Sequence, residues 1–369
     1  MKTLVRKPRR FKGLTVGLDV HKRFVQYAVL NRKGDQVGGG RLKAEEAALR
    51  EQVRKWRAQG EVQVVLEACG CFVWVFDLLV AEVGRAQVHV AQPGKLRVIA
   101  KSQEKNDATD AWWLAYLLYE GRLPEAFVAE GQLRELRIAV RELRSYTDTR
   151  SDQLRRLRSH LAQAGLKAPS AWHTSKVKRA QVRTLMKAVP GERGLALHRV
   201  YQLIYRLSQQ VRYWRRRVQE LSKGFTAIER IDEELPGLGL VTASAVHAEL
   251  GPAERFHSEK AYAKATGLTP GYRVSGGRMS GQVITKAGSR LARWALTRAA
   301  LACLRCRSGP GLQVKYWMLR RMKHKSRKKV LVAVARKLAE GIWRLFRYGE
   351  AFDVRKAFPA PKALPGQAA

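Results

Sequence analysis

Five short runs of strand-forming residues crowd into the first quarter of the chain, and they limit what it can fold into. Residues 14–19 (LTVGLD), 24–30 (FVQYAVL) and 36–42 (QVGGGRL) follow one another across short connections, the last at a turn around Lys33 and Gly34. Residues 62–67 (VQVVLE) and 86–91 (AQVHVA) are separated instead by segments of helical spacing. In residues 43–58 the apolar positions are Ala47, Leu49, Val53 and Trp56, and 72–83 reads as a second helix. Pro93 and Gly94 break the pattern before a third helix over 106–119. Three hairpin-type strands followed by alternating helix and strand predict an α/β domain built on a mixed sheet.

Two of these runs end on an acid, in a chain that has few. Lys and Arg number 71 against 31 Asp and Glu, a net charge of +40. Self-repulsion at that charge opposes compaction unless a polyanion neutralises it. Nucleic acid is the expected partner, because each neutralised phosphate releases counterions. An anionic membrane is the weaker reading, since no basic amphipathic segment stands alone with a lipid-facing side. The basic N-terminus (MKTLVRKPRRFKG) leads into no apolar signal core, and no apolar run reaches the ~18 residues a membrane span needs. A cytoplasmic protein is expected. Cys69 and Cys71 are too close for ordinary bridging, and the lone Cys303–Cys306 pair lacks the second pair a zinc site needs, so both read as free thiols.

Asp19 closes GLD and Glu67 closes VVLE, so both carboxylates emerge at strand ends, which a parallel pairing brings together. Asp107 and Asp110, in KNDATDAWWLA, lie three apart on one helix face. Singly, each has an ordinary structural reading: a turn cap, a lysine partner, a helix cap. Four converging carboxylates repel unless cations lie between them, and hard oxygen donors suit Mg²⁺ or Mn²⁺. Two such ions serve phosphodiester chemistry.

The middle of the chain changes character. Leu136, Val140, Leu143, Leu154, Leu157 and Leu161 hold a seven-residue register, interrupted at Thr147 and Arg150. Val200, Leu203, Leu207, Val211, Trp214, Val218 and Leu221 hold a second one, flanked by arginines. Two long antiparallel helices with a loop around Pro169 and Pro190 are predicted, either as a hairpin within one chain or as a coiled coil between protomers. The expected divisions are 1–125, 126–230, a mostly helical domain over 231–357, and a Pro/Ala-rich tail, 358–369. Within the third, LPGLGLVTASAVHAEL (235–250) fits a helix-hairpin-helix, in which Gly237 and Gly239 allow a turn that offers backbone N–H groups to a phosphate. A plain interhelical turn is the equal alternative. Residues 267–300 are Gly-rich, then helical. Arg273, Arg278 and Lys286 are candidate phosphate ligands there, and Ser275, before Gly276 and Gly277, reads from composition as a loop serine. The run RRMKHKSRKK (320–329) is either a solvated face or a phosphate contact.

GLDVHK, LEACG and KNDATDA resemble the three motifs of the DEDD transposases of bacterial insertion sequences (insertion-sequence family 110), with His21 standing where the family often has a small residue. GLTPGYRVSGGRMSGQVITKAG and the segment 328–346 are similar to the C-terminal transposase domain and closing helix of that family. The resemblance implies a RuvC-like, RNase H-type N-terminal domain in which Asp19, Glu67, Asp107 and Asp110 bind Mg²⁺. It also implies a serine that attaches covalently to DNA, matched by Ser275 with Ser280 as rival, and a structured guide RNA encoded by the element. A transposase working as a homo-oligomer, dimer or tetramer, is the leading expectation. A junction-resolving nuclease using water, or a non-catalytic nucleic-acid-binding protein, are the alternatives.

Overall fold

The computed structural model describes residues 11–99, 106–275 and 278–359. The chain divides into two compact units, one ending at Val128 and the other beginning at Ala129.

The first unit opens with β1 (Leu14–Val20), β2 (Phe24–Leu30) and β3 (Gln36–Lys43), a meander of antiparallel neighbours. There follow α1 (Glu46–Arg57), β4 (Val62–Glu67), α2 (Phe72–Val83), β5 (Val88–Ala91), α3 (Pro93–Ile99) and α4 (Asp107–Tyr119). The sheet order is β3-β2-β1-β4-β5, with β1, β4 and β5 parallel. This mixed five-stranded sheet fits an α/β, RNase H-like domain. Each strand matches its sequence pattern because period-two alternation sends one set of side chains to each face. Val16, Leu18, Val64 and Leu66 join α1 and α2 through Leu49, Val53, Trp56, Phe76 and Leu79. Val65 and Ala91 pack instead with Leu114 and Leu117 of α4. The run 86–91 is only half strand: Arg85–Gln87 forms a 3-10 turn, and β5 starts at Val88. Pro93, expected to interrupt structure, starts a helix, where its fixed φ and missing N–H cost nothing.

The second unit begins with α5 (Gly131–Gln163) and returns through α6 (Lys176–Lys187) and α7 (Gly191–Ser222). Two buried clusters show that α5 and α7 run antiparallel. Leu136, Val140 and Leu143 cluster with Val211 and Val218, whereas Leu154, Leu157 and Leu161 cluster with Leu197, Val200 and Ile204. Between the clusters the α5 seam turns polar. Thr147 Oγ1 donates to the Leu143 carbonyl at 2.7 Å and Ser151 Oγ to the Thr147 carbonyl at 2.8 Å. The connection expected as a loop holds α6, which Ser175 caps by accepting from the Lys178 N–H.

The lower ends of α5 and α7 do not form a free-standing rod. Their buried residues belong to the same core as the remaining helices: α8 (Thr226–Glu234), α9 (Leu240–Leu250), α10 (Glu259–Ala265), α11 (Arg290–Cys303), α12 (Gly309–Met322), α13 (Arg327–Tyr348) and α14 (Val354–Ala357). Arg137 of α5 donates to the Ala248 carbonyl at 2.7 Å, and Arg141 pairs with Glu249 at 2.7 Å, so two arginines fasten α5 to the end of α9. Burial pushes the Arg137 guanidinium down to about 10. A hairpin of β6 (Pro270–Ser275) and β7 (Arg278–Ile284) stands in the stretch expected to be a Gly-rich loop. Among the described residues no helix is long and apolar enough to cross a membrane.

Candidate metal centre

Strand register sets the first two acids side by side. β1 and β4 pair in parallel with Leu18 opposite Leu66, so Asp19 and Glu67 are the next residues along neighbouring strands. Both alternate away from the α1–α2 core, onto the face that carries Val65 and α4. Gly17 lies two residues before Asp19 on that face. A Cβ there would lie 2.0 Å from the Ala111 carbonyl oxygen and 2.6 Å from the Ala115 nitrogen. Only glycine lets α4 lie directly on the strand.

The seating of α4 brings its N-terminus to the end of β1. Asn106 caps it, its side chain accepting from the Thr109 N–H at 2.7 Å, so Asp107 and Asp110 fall in the first turn. Carboxylates are favoured there by the helix dipole. Asp19, His21 and Asp107 offer ligand atoms that all lie within 4.8 Å of one another. His21 Nε2 is 2.9 Å from Asp19 Oδ2 and 3.5 Å from Asp107 Oδ1. Its ring stacks on Phe24 at 4.5 Å, and Arg41, whose guanidinium lies 4.1 Å above Phe24, is 3.4 Å from Asp107. Asp110 and Glu67 fall outside the group within 4.8 Å, although Asp110 is near enough to act on Asp19 electrostatically.

Burial raises the Asp19 carboxyl above its ordinary range, and the charges of Asp107 and Asp110 add to the rise; the hydrogen bond and charge of His21 oppose it. The side chain of Asp19 is 17% exposed, whereas that of Asp107 is 37% exposed. A partly buried carboxylate beside two others is the setting that a divalent cation relieves, and its hard oxygens suit Mg²⁺ or Mn²⁺. The donor set therefore fits such an ion. Sequence reasoning passed over His21 as a departure from a motif. The signal was its spacing, two residues after a strand-end aspartate, where the turn that bonds the His21 N–H to the Phe24 carbonyl folds it back over the strand end.

The second-half candidates fall in different local settings. Ser275 ends β6 opposite Arg278, and Arg273 lies opposite Ser280 in the same hairpin; Gly276 and Gly277 lie outside the described residues. Lys286 is exposed, with a left-handed backbone (φ 53°), its N–H on the Gly267 carbonyl and its own carbonyl accepting from Arg293. Ser289 caps α11 and donates to Glu249 at 2.8 Å. Gly237 has φ 78°, and a Cβ there would lie 2.4 Å from the Ala299 carbonyl oxygen, so this turn packs against α11. The Gly239 N–H is already held by Thr242 Oγ1 at 3.0 Å. The basic run 320–329 is almost wholly exposed across the α12–α13 turn.

Known proteins match these same regions. A family model for the DEDD transposases, described as "Transposase", matches residues 16–165, and one described as "Transposase IS116/IS110/IS902 family" matches 230–316. The chain is 24% identical over 357 residues to a Sinorhizobium fredii protein named as a transposase (y4pF/y4sB), covering 94% of this chain and 87% of that one. It is 25% identical over 336 residues to a protein of Pseudomonas aeruginosa named as a family 20 transposase, covering 89% and 96% respectively. The transposase of an insertion sequence of Yersinia enterocolitica is 25% identical over 213 residues, 54% of this chain and 64% of that one.

Proposed function

Because the chain belongs to the IS110 family of DEDD transposases, enzymes that cut and rejoin DNA, we propose that it does so with Asp19, Glu67, Asp107 and Asp110 as metal ligands and Ser275 as nucleophile. The observation that supports this most is the meeting of Asp19 and Asp107 at the end of β1, beneath a helix that Gly17 allows to lie against the strand. When bound, Mg²⁺ or Mn²⁺ would polarise the scissile phosphate and stabilise charge on its oxygens.

The chain's own groups have separate tasks in this reading. The four carboxylates hold the cations and so mark where the phosphodiester lies. Ser275 Oγ attacks phosphorus; the Oγ–P bond forms as the P–O bond to one deoxyribose breaks, the serine proton leaves to a base, and the departing deoxyribose oxygen takes a proton from solvent and leaves as a free hydroxyl. The reverse attack by a DNA hydroxyl restores the serine and joins the strands, conserving the bond energy. Ser275 belongs to the second unit and the acids to the first. The reading therefore requires both to reach one phosphodiester, from one chain or from two protomers.

Residues 1–125 form the RuvC-like catalytic domain, 126–230 the helical oligomerisation span and 231–357 the transposase domain. The span unites a dimer or tetramer through apolar residues of α7 that the hairpin leaves outside, among them Leu203, 40% exposed. The α8–turn–α9 element serves as a helix-hairpin-helix that rests on the phosphate backbone, with Arg273, Arg278 and Lys286 adding phosphate contacts. The charge of +40 provides for a structured guide RNA as well as DNA.

The test is an adduct assay with DNA, Mg²⁺ and element-derived RNA, followed by denaturation. A protein–DNA adduct that persists in Ser280→Ala and vanishes in Ser275→Ala and Asp19→Asn is expected. Cleaved ends without an adduct, at undiminished rate in Ser275→Ala, would make water the nucleophile and reduce the enzyme to a nuclease.

A further inference from the structure

The tip of the second unit holds a basic basin that the strand-transfer chemistry does not use. The 3-10 turn Trp172–Thr174, the start of α6 and the middle of α7 enclose a cavity of about 140 Å³. His173, Arg179, Tyr201, Tyr205 and Arg212 are among its walls. Trp172, almost wholly buried, stacks on Tyr201 at 5.5 Å and fixes the floor. Arg212 also lines a second groove, of about 450 Å³, with Gln209, Tyr213 and Arg216, so the two run on along one side of α7. Tyr205, Gln209, Arg212 and Arg216 fall at spacings of four, three and four, one stripe of a helix.

The electrostatics are one-sided. Between Gln153 and Gln219 the single acid is Glu192. Among the described residues, Arg150, Arg158, Arg179, Arg212 and Arg215 form no salt bridge. Burial and the charges of Arg215 and Arg212 push the Arg150 guanidinium down; burial and the charges of Arg150, Arg158 and Arg179 do the same to His173. Arg150 Nε and Trp172 Nε1, both donors, are buried without a hydrogen-bond partner, and His173 Nδ1 is too. Crowded cations and unmet donors around a small hollow are what an anion relieves. The surroundings specify which anion. The hollow takes one phosphate group and is too small for a duplex. Beside it the exposed rings of Tyr205 (53%) and Tyr213 (48%) offer faces to bases that are not paired. Cationic grooves interleaved with aromatic faces suit a single strand.

We propose that this basin binds an unpaired nucleic-acid strand, with a backbone phosphate between Arg179 and Arg212 and a base on Tyr205. The basin shares no residue with the acids or with Ser275, so the proposal holds whichever nucleophile cuts DNA. Its experiment is fluorescence anisotropy of the full chain, in chelator, against a short unstructured oligonucleotide made both as RNA and as DNA. Arg179→Ala/Arg212→Ala is compared with Arg199→Ala/Arg206→Ala, which removes equal charge from exposed positions elsewhere on α7. The basin pair is expected to make the plot of log affinity against log salt shallower by about 0.7, the contribution of the one phosphate it holds. Tyr205→Ala is expected to weaken binding about tenfold at constant charge. The arm that shows these losses, RNA or DNA, identifies the strand. Equal losses from the two arginine pairs, with Tyr205→Ala neutral on both arms, would overturn the site, as would competition by polyglutamate as strong as by the oligonucleotide. Circular dichroism melts confirm that each variant is folded.

Discussion

Asp19 carries the conflict that gives the first unit its chemistry. It is the last but one residue of a strand that is otherwise apolar except for Thr15, is half-buried, and has Asp107 and Asp110 within electrostatic reach. Its carboxyl is raised, so the folded chain favours the protonated form more than the unfolded chain does. The native state therefore loses stability as pH rises through the raised pKa, and at neutral pH, without a divalent ion, the Asp19 carboxylate is a net cost. Asp19→Asn removes that cost and leaves an oxygen to accept from His21. Its melting temperature in chelator at pH 7.5 is expected to be no lower than the parent's. Added Mg²⁺ should raise the melting temperature of the parent, because an ion that binds only the folded state stabilises it, and should leave Asp19→Asn unmoved. Differential scanning fluorimetry in both buffers measures this. A Mg²⁺ response undiminished in Asp19→Asn would remove Asp19 from the metal site.

At the scale of elements, the α4–β1 contact decides whether a site forms. Gly17 meets the backbone of α4 closely enough that any Cβ must push the helix outward, and the helix carries Asp107 with it. Gly17→Ala is therefore expected to cost about 1–3 kcal/mol, as overpacking does, and to weaken the Mg²⁺-induced rise in melting temperature as well. Gly70→Ala is the control: it lies in the neighbouring LEACG motif, and a Cβ there meets nothing within 4 Å. It should change stability by less than about 0.5 kcal/mol. Chemical denaturation of both variants, with and without Mg²⁺, separates the two effects. A similar lesson applies to the turn at Gly237, where Gly237 and Gly239, on either side of Leu238, suggested phosphate binding from the sequence. One of them is needed for contact with α11, and the other's N–H is capped by Thr242.

For the molecule as a whole, the α5–α7 hairpin sets what remains for partners. Its seam is satisfied within the chain by Leu197, Val200, Ile204, Leu207 and Val211, all buried. Leu203 shared the seven-residue register in the sequence but faces outward, while Ile204, next to it, is 2% exposed and faces in. The two positions make opposite predictions. Leu203→Asp should lower the mass seen by sedimentation equilibrium and leave the helical signal and monomer stability intact. Ile204→Ala should cost about 2–5 kcal/mol of the hairpin's stability, the usual price of a buried large-to-small change. A parent that sediments as a monomer, or an oligomer indifferent to Leu203→Asp, would remove α7 from the interface.

The sequence by itself determined the mixed sheet, nearly all the element boundaries of the first unit, and the two long helices. These follow from local periodicity and from the cap at Asn106, which act over a few residues. The placement of Asp19 and Glu67 near strand ends and of Asp107 and Asp110 in a first helical turn was legible for the same reason, since such positions are local facts. Only the tertiary structure decided that His21 and Arg41 stand among the acids, that Gly17 sets the height of α4, that α6 fills the predicted loop, and that Leu203 faces out where Ile204 faces in. Each depends on which surfaces meet across large separations in the chain. A hydrophobic register with two adjacent apolar residues does not state which one turns inward; the packing partner does.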